Sequence, residues 1–325
     1  MQVVACLALA TVMAGSGCSI QKMALRETGK IMLFGSKAIN EEPDFEMARL
    51  GMPASLKSVE VMLASLPDDP NMLFLLAQGY GAYAFLVIED EMDLADAAGD
   101  LERVKVLKAR ADGLYQRSQG FASRILGAAL TNAIENGALD ALPGALAKLQ
   151  KKDVPALFWY AYAWLGRINL NQTNMALVSG LPRVDALLAR CVALDPEYYY
   201  GLPLLTTGAF YTARAPMFGG DLPRGKAALE KGIAVTQGRF LAGKFLLARF
   251  YAVQAQDRDL FCSTLQEIAN APSNLLPAQQ LMNNVAVRWA VRWRARAGSL
   301  FEAGGCVEPA PVQGKKVEDD DDALN

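Results

Sequence analysis

A two-helix pattern written nearly three times between Pro155 and Asn270 constrains this chain more than any other feature. In the first copy Tyr162, Leu165 and Gly166 stand on one helix, and Leu188 and Cys191 stand on the next, just before Asp195-Pro196. The second copy sets Leu204, Gly208 and Tyr211 before Gly225, Leu229 and Gly232; the third sets Leu247, Ala248 and Tyr251 before Phe261, Leu265 and Ile268. Gly166 and Gly208 lie 42 positions apart, Leu188 and Leu229 lie 41 apart, and Gly208 and Ala248 lie 40 apart. Self-similarity at such a period marks stacked helical hairpins, because each hairpin can bury its apolar face only against its neighbours. Within this scheme Asp195 is expected to cap a helix that Pro196 begins.

The large, small and Pro residues Leu188, Cys191 and Pro196, with Tyr162, Leu165 and Gly166 one helix earlier, resemble a tetratricopeptide (TPR) unit. That unit repeats about every 34 residues, so the longer spacing implies a loop of roughly five to eight extra residues inside each copy. The expected fold is all-α: TPR-like helical hairpin repeats forming a compact α-solenoid over residues 51–303 as one domain. With 32 Lys and Arg against 34 Asp and Glu, the net charge of −2 gives no electrostatic reason to expect nucleic acid or an anionic membrane surface as a partner. The chain contains no His. That removes the commonest general base and metal ligand, so no enzyme, metal site or cofactor is expected.

Near the N-terminus, Val3 to Ala14 is an uncharged apolar run followed by Gly15-Ser16-Gly17-Cys18-Ser19. The run is too short to span a bilayer and reads as the core of a signal peptide over residues 1–17. Cys18 behind small residues looks like a bacterial lipobox, in which the thiol carries lipid; secretion with simple cleavage, or a buried N-terminal helix, are the alternatives. Because no Lys or Arg precedes the run, the translation start is expected upstream. Residues 18–50 are expected to form a tether with a short helix, and Pro53 to open the first clear helix. A second helix is expected from Asn71 to Glu91, behind Asp69-Pro70. The acidic group Glu89, Asp90, Glu91, Asp93 and Asp96 then reads as a solvated loop, with a cation site as the alternative. A long helical region from Ala95 to Asn136 should break near Gly120. Towards the C-terminus, Leu281, Val285, Trp289 and Trp293 make an apolar row beside Arg288, Arg292 and Arg296, which reads as a packed helix with a solvated basic edge. Residues 304–325, with Asp319 to Asp322, read as a disordered acidic tail.

Taken together, Leu-Leu-Ala-Gln-Gly-Tyr-Gly-Ala-Tyr-Ala at 75–84, Leu-Tyr-Gln-Arg-Ser-Gln-Gly-Phe at 114–121, Cys-Val-Ala-Leu-Asp-Pro at 191–196 and the Pro216-to-Asp221 segment resemble the T-component family associated with TRAP transporters. The resemblance spans about Pro53 to Phe301. It implies a periplasmic TPR-like lipoprotein, assembled as a trimer, that assists solute uptake by docking the transporter's periplasmic solute-binding protein. An envelope scaffold without a small-molecule ligand is the alternative. Ser19 after the lipidated Cys18 favours the outer membrane.

Two further expectations come from the residues themselves. Given an oxidising compartment, Cys262 and Cys306 should pair, because Gly304-Gly305 lets the chain bend back, while Cys191 stays reduced in a small core position. Phe158 to Trp164 holds five aromatic residues in seven, so one face should be core and another should line a groove; packing into the core alone is the alternative. Trp159, Tyr162, Tyr199 and Tyr211, with Arg214 and the loop Phe218, Gly219, Gly220 and Asp221, are expected to form a cavity or mouth for a ligand or partner. There Arg214 would hold a carboxylate while the rings bury an apolar body. The alternative has Tyr199 and Tyr211 in the core and Arg214 in solvent.

Overall fold

A computed structural model describes residues 21–307, which contain helices and no strand. The apolar run at Val3 to Ala14, Cys18 with its expected lipobox and the acidic run Asp319 to Asp322 lie outside the described residues. Helix α1 covers 21–35 and a single turn, α2, covers Lys37–Asn40. Helix α3 spans Phe45–Ser65, so Pro53 lies inside a helix that was expected to begin there. The Asp44 side chain caps α3 at the amides of Glu46 and Met47, and a buried stripe of Phe45, Ala48, Met52, Leu56, Val59 and Leu63 runs unbroken past the proline. Packing of that stripe outweighs the one backbone hydrogen bond that a proline forgoes.

Asp69 and Pro70 do start a helix: α4, Pro70–Tyr83, continues through a π-helical segment, Ala84–Ile88, into α5, Glu89–Ala97. The acidic group is therefore helical, and Asp90 is only 3% exposed. Its partners come from the far end of the chain. In α16, Gln280–Ala295, Arg292 reaches Asp90 at 2.5 Å and Asp93 at 2.6 Å, Arg296 just beyond the helix reaches Asp93 at 2.6 Å, and the Trp289 indole donates to Asp90 at 2.6 Å. Neither the solvated acidic loop nor the solvated basic edge exists as expected, because each neutralises the other. Helix α6, Leu101–Leu126, passes through Gly120 without interruption behind the buried stripe Leu107, Ala111, Tyr115, Ser118 and Ala122. The break comes at Gly127, whose φ of +85° turns the chain into α7, Ala128–Asn136. A short α8, Leu142–Leu146, follows.

The repeated segment forms helix pairs. The first pair is α9, Val154–Leu170, and α11, Leu181–Leu194, joined by a loop that holds the single turn α10, Met175–Val178. The second pair is α12, Tyr198–Thr212, and α13, Leu222–Val235. The third is α14, Leu241–Leu246, with its π-helical extension Leu247–Ala252, and α15, Arg258–Ala269. Extra loop length lies inside the first two pairs only; the third turns within a few residues. In the second pair the small residues are placed by contact: a Cβ on Gly208 would stand 2.9 Å from the Gly225 carbonyl oxygen, and one on Gly225 would stand 3.0 Å from that of Gly208. Asp195 does not cap α12. It ends α11 and pairs with Lys151, while Tyr199, Tyr200 and Gly201 take left-handed φ values of 44°, 61° and 82° before the regular helix begins.

Helix contacts run in a circuit: α3 to α4, α6, α9, α11, α12, α13, α14, α16 and back to α3. The first and last helices share one core, in which Leu56, Leu76 and Leu107 sit with Phe245, Phe261 and Trp289. A short α17, Ala297–Leu300, follows α16, and the chain then returns to α15, where Cys306 is disulfide-bonded to Cys262 with a Cα separation of 5.6 Å. Cys191 is a buried free thiol.

Candidate functional site

Helical phase decides which of the aromatic residues face inward. On α9, Trp159, Tyr162, Gly166 and Asn169 recur at three- and four-residue steps and line an internal cavity of about 640 Å³. Phe158 and Tyr160, which flank Trp159 and do not line the cavity, are fully buried in the core. The aromatic segment thus serves both cavity and core. On α12 the lining positions are Tyr199, Leu202, Thr206, Ala209 and Thr212, followed by Ala213 just past the helix end. Tyr211 falls out of that phase and does not reach the cavity. It is 3% exposed, donates to Asp185, and lies under the Arg224 guanidinium at 4.0 Å.

The loop after α12 is only partly a wall. Arg214 and Phe218 line the cavity, whereas Gly219, Gly220 and Asp221 do not. Gly220 is pressed against the Arg214 carbonyl, where any Cβ would collide at 1.9 Å, and Asp221 caps α13 at the Arg224 amide. Ala213, Ala215 and Phe218 are exposed, so this end of the cavity is its mouth. Arg214 is stacked on Phe210 at 4.5 Å and donates to the Phe210 carbonyl at 2.6 Å and to Asn169 Oδ1 at 2.7 Å. Burial pulls its pKa down to about 10.

Tyr199 is held by its left-handed backbone and by donation from its hydroxyl to Asn40 at 3.2 Å. Its ring meets Trp159 edge-on at 6.1 Å, and the Trp159 indole donates to the Tyr198 hydroxyl at 3.1 Å. Single residues in αL geometry are costly unless the surroundings fix them, and here ring packing on both sides does so.

Sequence reasoning missed the inner end. Glu89 and Arg249 line the cavity with Phe85, Tyr115 and Trp289. Glu89 follows one π-helical segment directly and Arg249 lies within the other. The Glu89 carboxylate accepts a hydrogen bond from the Tyr115 hydroxyl, and burial raises its pKa above the usual carboxylate value. Burial likewise raises the Tyr115 and Tyr162 phenols. Arg249 lies over the Trp293 ring at 4.7 Å and the Phe250 ring at 5.0 Å, and burial lowers its pKa. The available signal was a single Arg inside the apolar run Phe245 to Val253. Nothing in the pattern marks a π-segment, which adds one residue to a turn and so re-aims the side chains around it.

The arrangement can enclose an apolar body among rings and meet a negative charge at either end. The chain matches a family model described as the TRAP transporter T-component over residues 41–301. No curated protein matches the chain.

Proposed function

Because the chain belongs to the TRAP transporter T-component family, we propose that it serves TRAP-type solute uptake as a non-enzymatic periplasmic lipoprotein. In this reading it is anchored through Cys18 at the outer membrane, docks the periplasmic solute-binding protein, assembles as a trimer, and holds or passes a small apolar or carboxylated molecule in the cavity. The observation that carries the ligand-holding part is the cavity itself: about 640 Å³, lined by Trp159, Tyr162 and Tyr199. That volume falls in the range that buries most of the surface of a small ligand.

The test is to extract the natively purified protein and identify bound small molecules by mass spectrometry, beside an Ala209→Trp variant that fills the cavity from α12. A bound molecule lost in the folded variant supports the reading. An empty wild-type protein, or a ligand that persists in the filled variant, removes the cavity from the function. Cys18→Ala should move the protein to the soluble periplasmic fraction; retention on membranes in high salt would rule out lipid at Cys18 as the anchor.

A further inference from the structure

Arg249 is a cation enclosed by the fold and left without a partner for its donors. Among the described residues it makes no hydrogen bond and no ion pair, and its guanidinium lies over the ring faces of Trp293 and Phe250. A guanidinium carries five N–H donors; Arg249 is half-buried and lines the cavity, so those donors are open to whatever occupies it. The acidic groups nearest to it are already engaged. Asp93 gives its oxygens to Arg292 and Arg296, Asp90 is taken by Arg292 and Trp289, and Glu89 accepts from Tyr115. Arg292 and Arg296 add positive charge around Arg249. Arg214, at the mouth, differs in that two of its donors are taken, by the Phe210 carbonyl and by Asn169.

We propose that Arg249 is the anion-recognising group of this cavity and that the ligand is an organic carboxylate whose apolar body lies against Phe85, Trp159 and Tyr162. The inference rests on the reading that the cavity holds a small molecule. A carboxylate meets the planar guanidinium through two parallel N–H donors; Arg214, the other guanidinium lining the cavity, already gives donors to Phe210 and Asn169. Burial supports the assignment by keeping a proton on Glu89 more readily than usual, which weakens the one carboxylate that would compete for Arg249. The π-helical segment Leu247–Ala252 accounts for the placement, since such segments recur where a helix presents a functional side chain.

The test uses decanoate and 1-decanol, which share an apolar body and differ in charge, titrated calorimetrically into protein freed of co-purified ligand. Wild type should bind decanoate at least about tenfold more tightly than decanol, the scale of a charge-assisted pair of hydrogen bonds. Arg249→Gln should erase that preference and leave decanol affinity unchanged, Arg249→Lys should keep part of it, and Glu89→Gln should retain it. Should Arg249→Gln not fold, Arg249→Lys carries the test: a narrowed preference supports the assignment and an unchanged one overturns it. Equal binding of acid and alcohol to wild type overturns the inference and leaves the ligand-holding cavity standing. A preference that survives Arg249→Gln but disappears in Arg214→Gln moves the anion to the mouth and also overturns it. If neither probe binds, both the inference and the ligand-holding reading fail.

Discussion

The α12–α13 hairpin and the α5–α16 contact both border the cavity, yet they are held by opposite means. The hairpin joins neighbours in sequence through small residues: Gly208 and Gly225 let two backbones approach until no Cβ fits between them, and Gly232 receives the Leu205 side chain. The α5–α16 contact joins residues about two hundred positions apart through charge, with Asp90 and Asp93 clasped by Arg292 and Arg296. The first is a matter of shape and tolerates no added volume. The second is a matter of pairing and tolerates no lost partner, since an ion buried without its counter-charge costs far more than the intact pair contributes. Tight local packing builds the wall, and long-range pairing closes the circuit.

Several changes would break or sharpen this contrast. The largest effect should come from the closing side: replacing Cys306 with Ser opens a loop of 44 residues, expected to cost about 4 kcal/mol by chain entropy. Urea unfolding of oxidised wild type against the variant measures it; equal midpoints would show that the ionic clasp holds the chain end unaided. Asp90→Ala should follow at about 3 kcal/mol, at the lower end for a broken buried pair because Arg292 keeps Asp93. An Asp90→Ala, Arg292→Leu double variant should recover part of that loss, and failure to recover would mean that Asp90 acts mainly through the Trp289 indole.

On the hairpin side, Gly208→Ala should destabilise by about 2 kcal/mol although alanine is the better helix former. Its methyl would stand 2.4 Å from Leu229 Cγ as well as against the Gly225 carbonyl. A stabilised variant would show that α12 and α13 can move apart, and the shape argument would fall. The smallest effect concerns pH. Burial raises the Glu89 pKa in the folded chain, so its contribution is fully present below the unfolded value and is lost as pH rises through the folded one. Glu89→Gln should therefore flatten the fall in stability that begins above about pH 4.5, the ordinary value for this group. Parallel pH profiles for variant and wild type would remove Glu89 as the buried titrating group.

How much was legible follows the same division. The helix pairs, the helix start at Asp69-Pro70 and the family were open to reading, whereas the helix that Asp44 caps was expected to begin at Pro53. Of the four rings singled out, Trp159, Tyr162 and Tyr199 line the cavity and Tyr211 does not, because one helical phase step turns its ring towards Asp185. Arg214 was chosen as the charge near the rings; the unpaired charge is Arg249, which only the positions of Trp293 and Phe250 reveal.

By itself the sequence determined the all-α class, the recurring hairpins and the small residues where helices cross, because these depend on interactions within one or two turns and between adjacent helices. Periodicity and caps carry that information locally. Tertiary structure alone decided that the two ends of the chain share a core, that Asp90 and Asp93 are clasped and not solvated, and that Glu89 and Arg249 face one cavity. Those outcomes depend on which distant helix supplies the counter-charge and on a π-helical segment that rotates a side chain inward, and neither leaves a mark at fixed spacing along the chain.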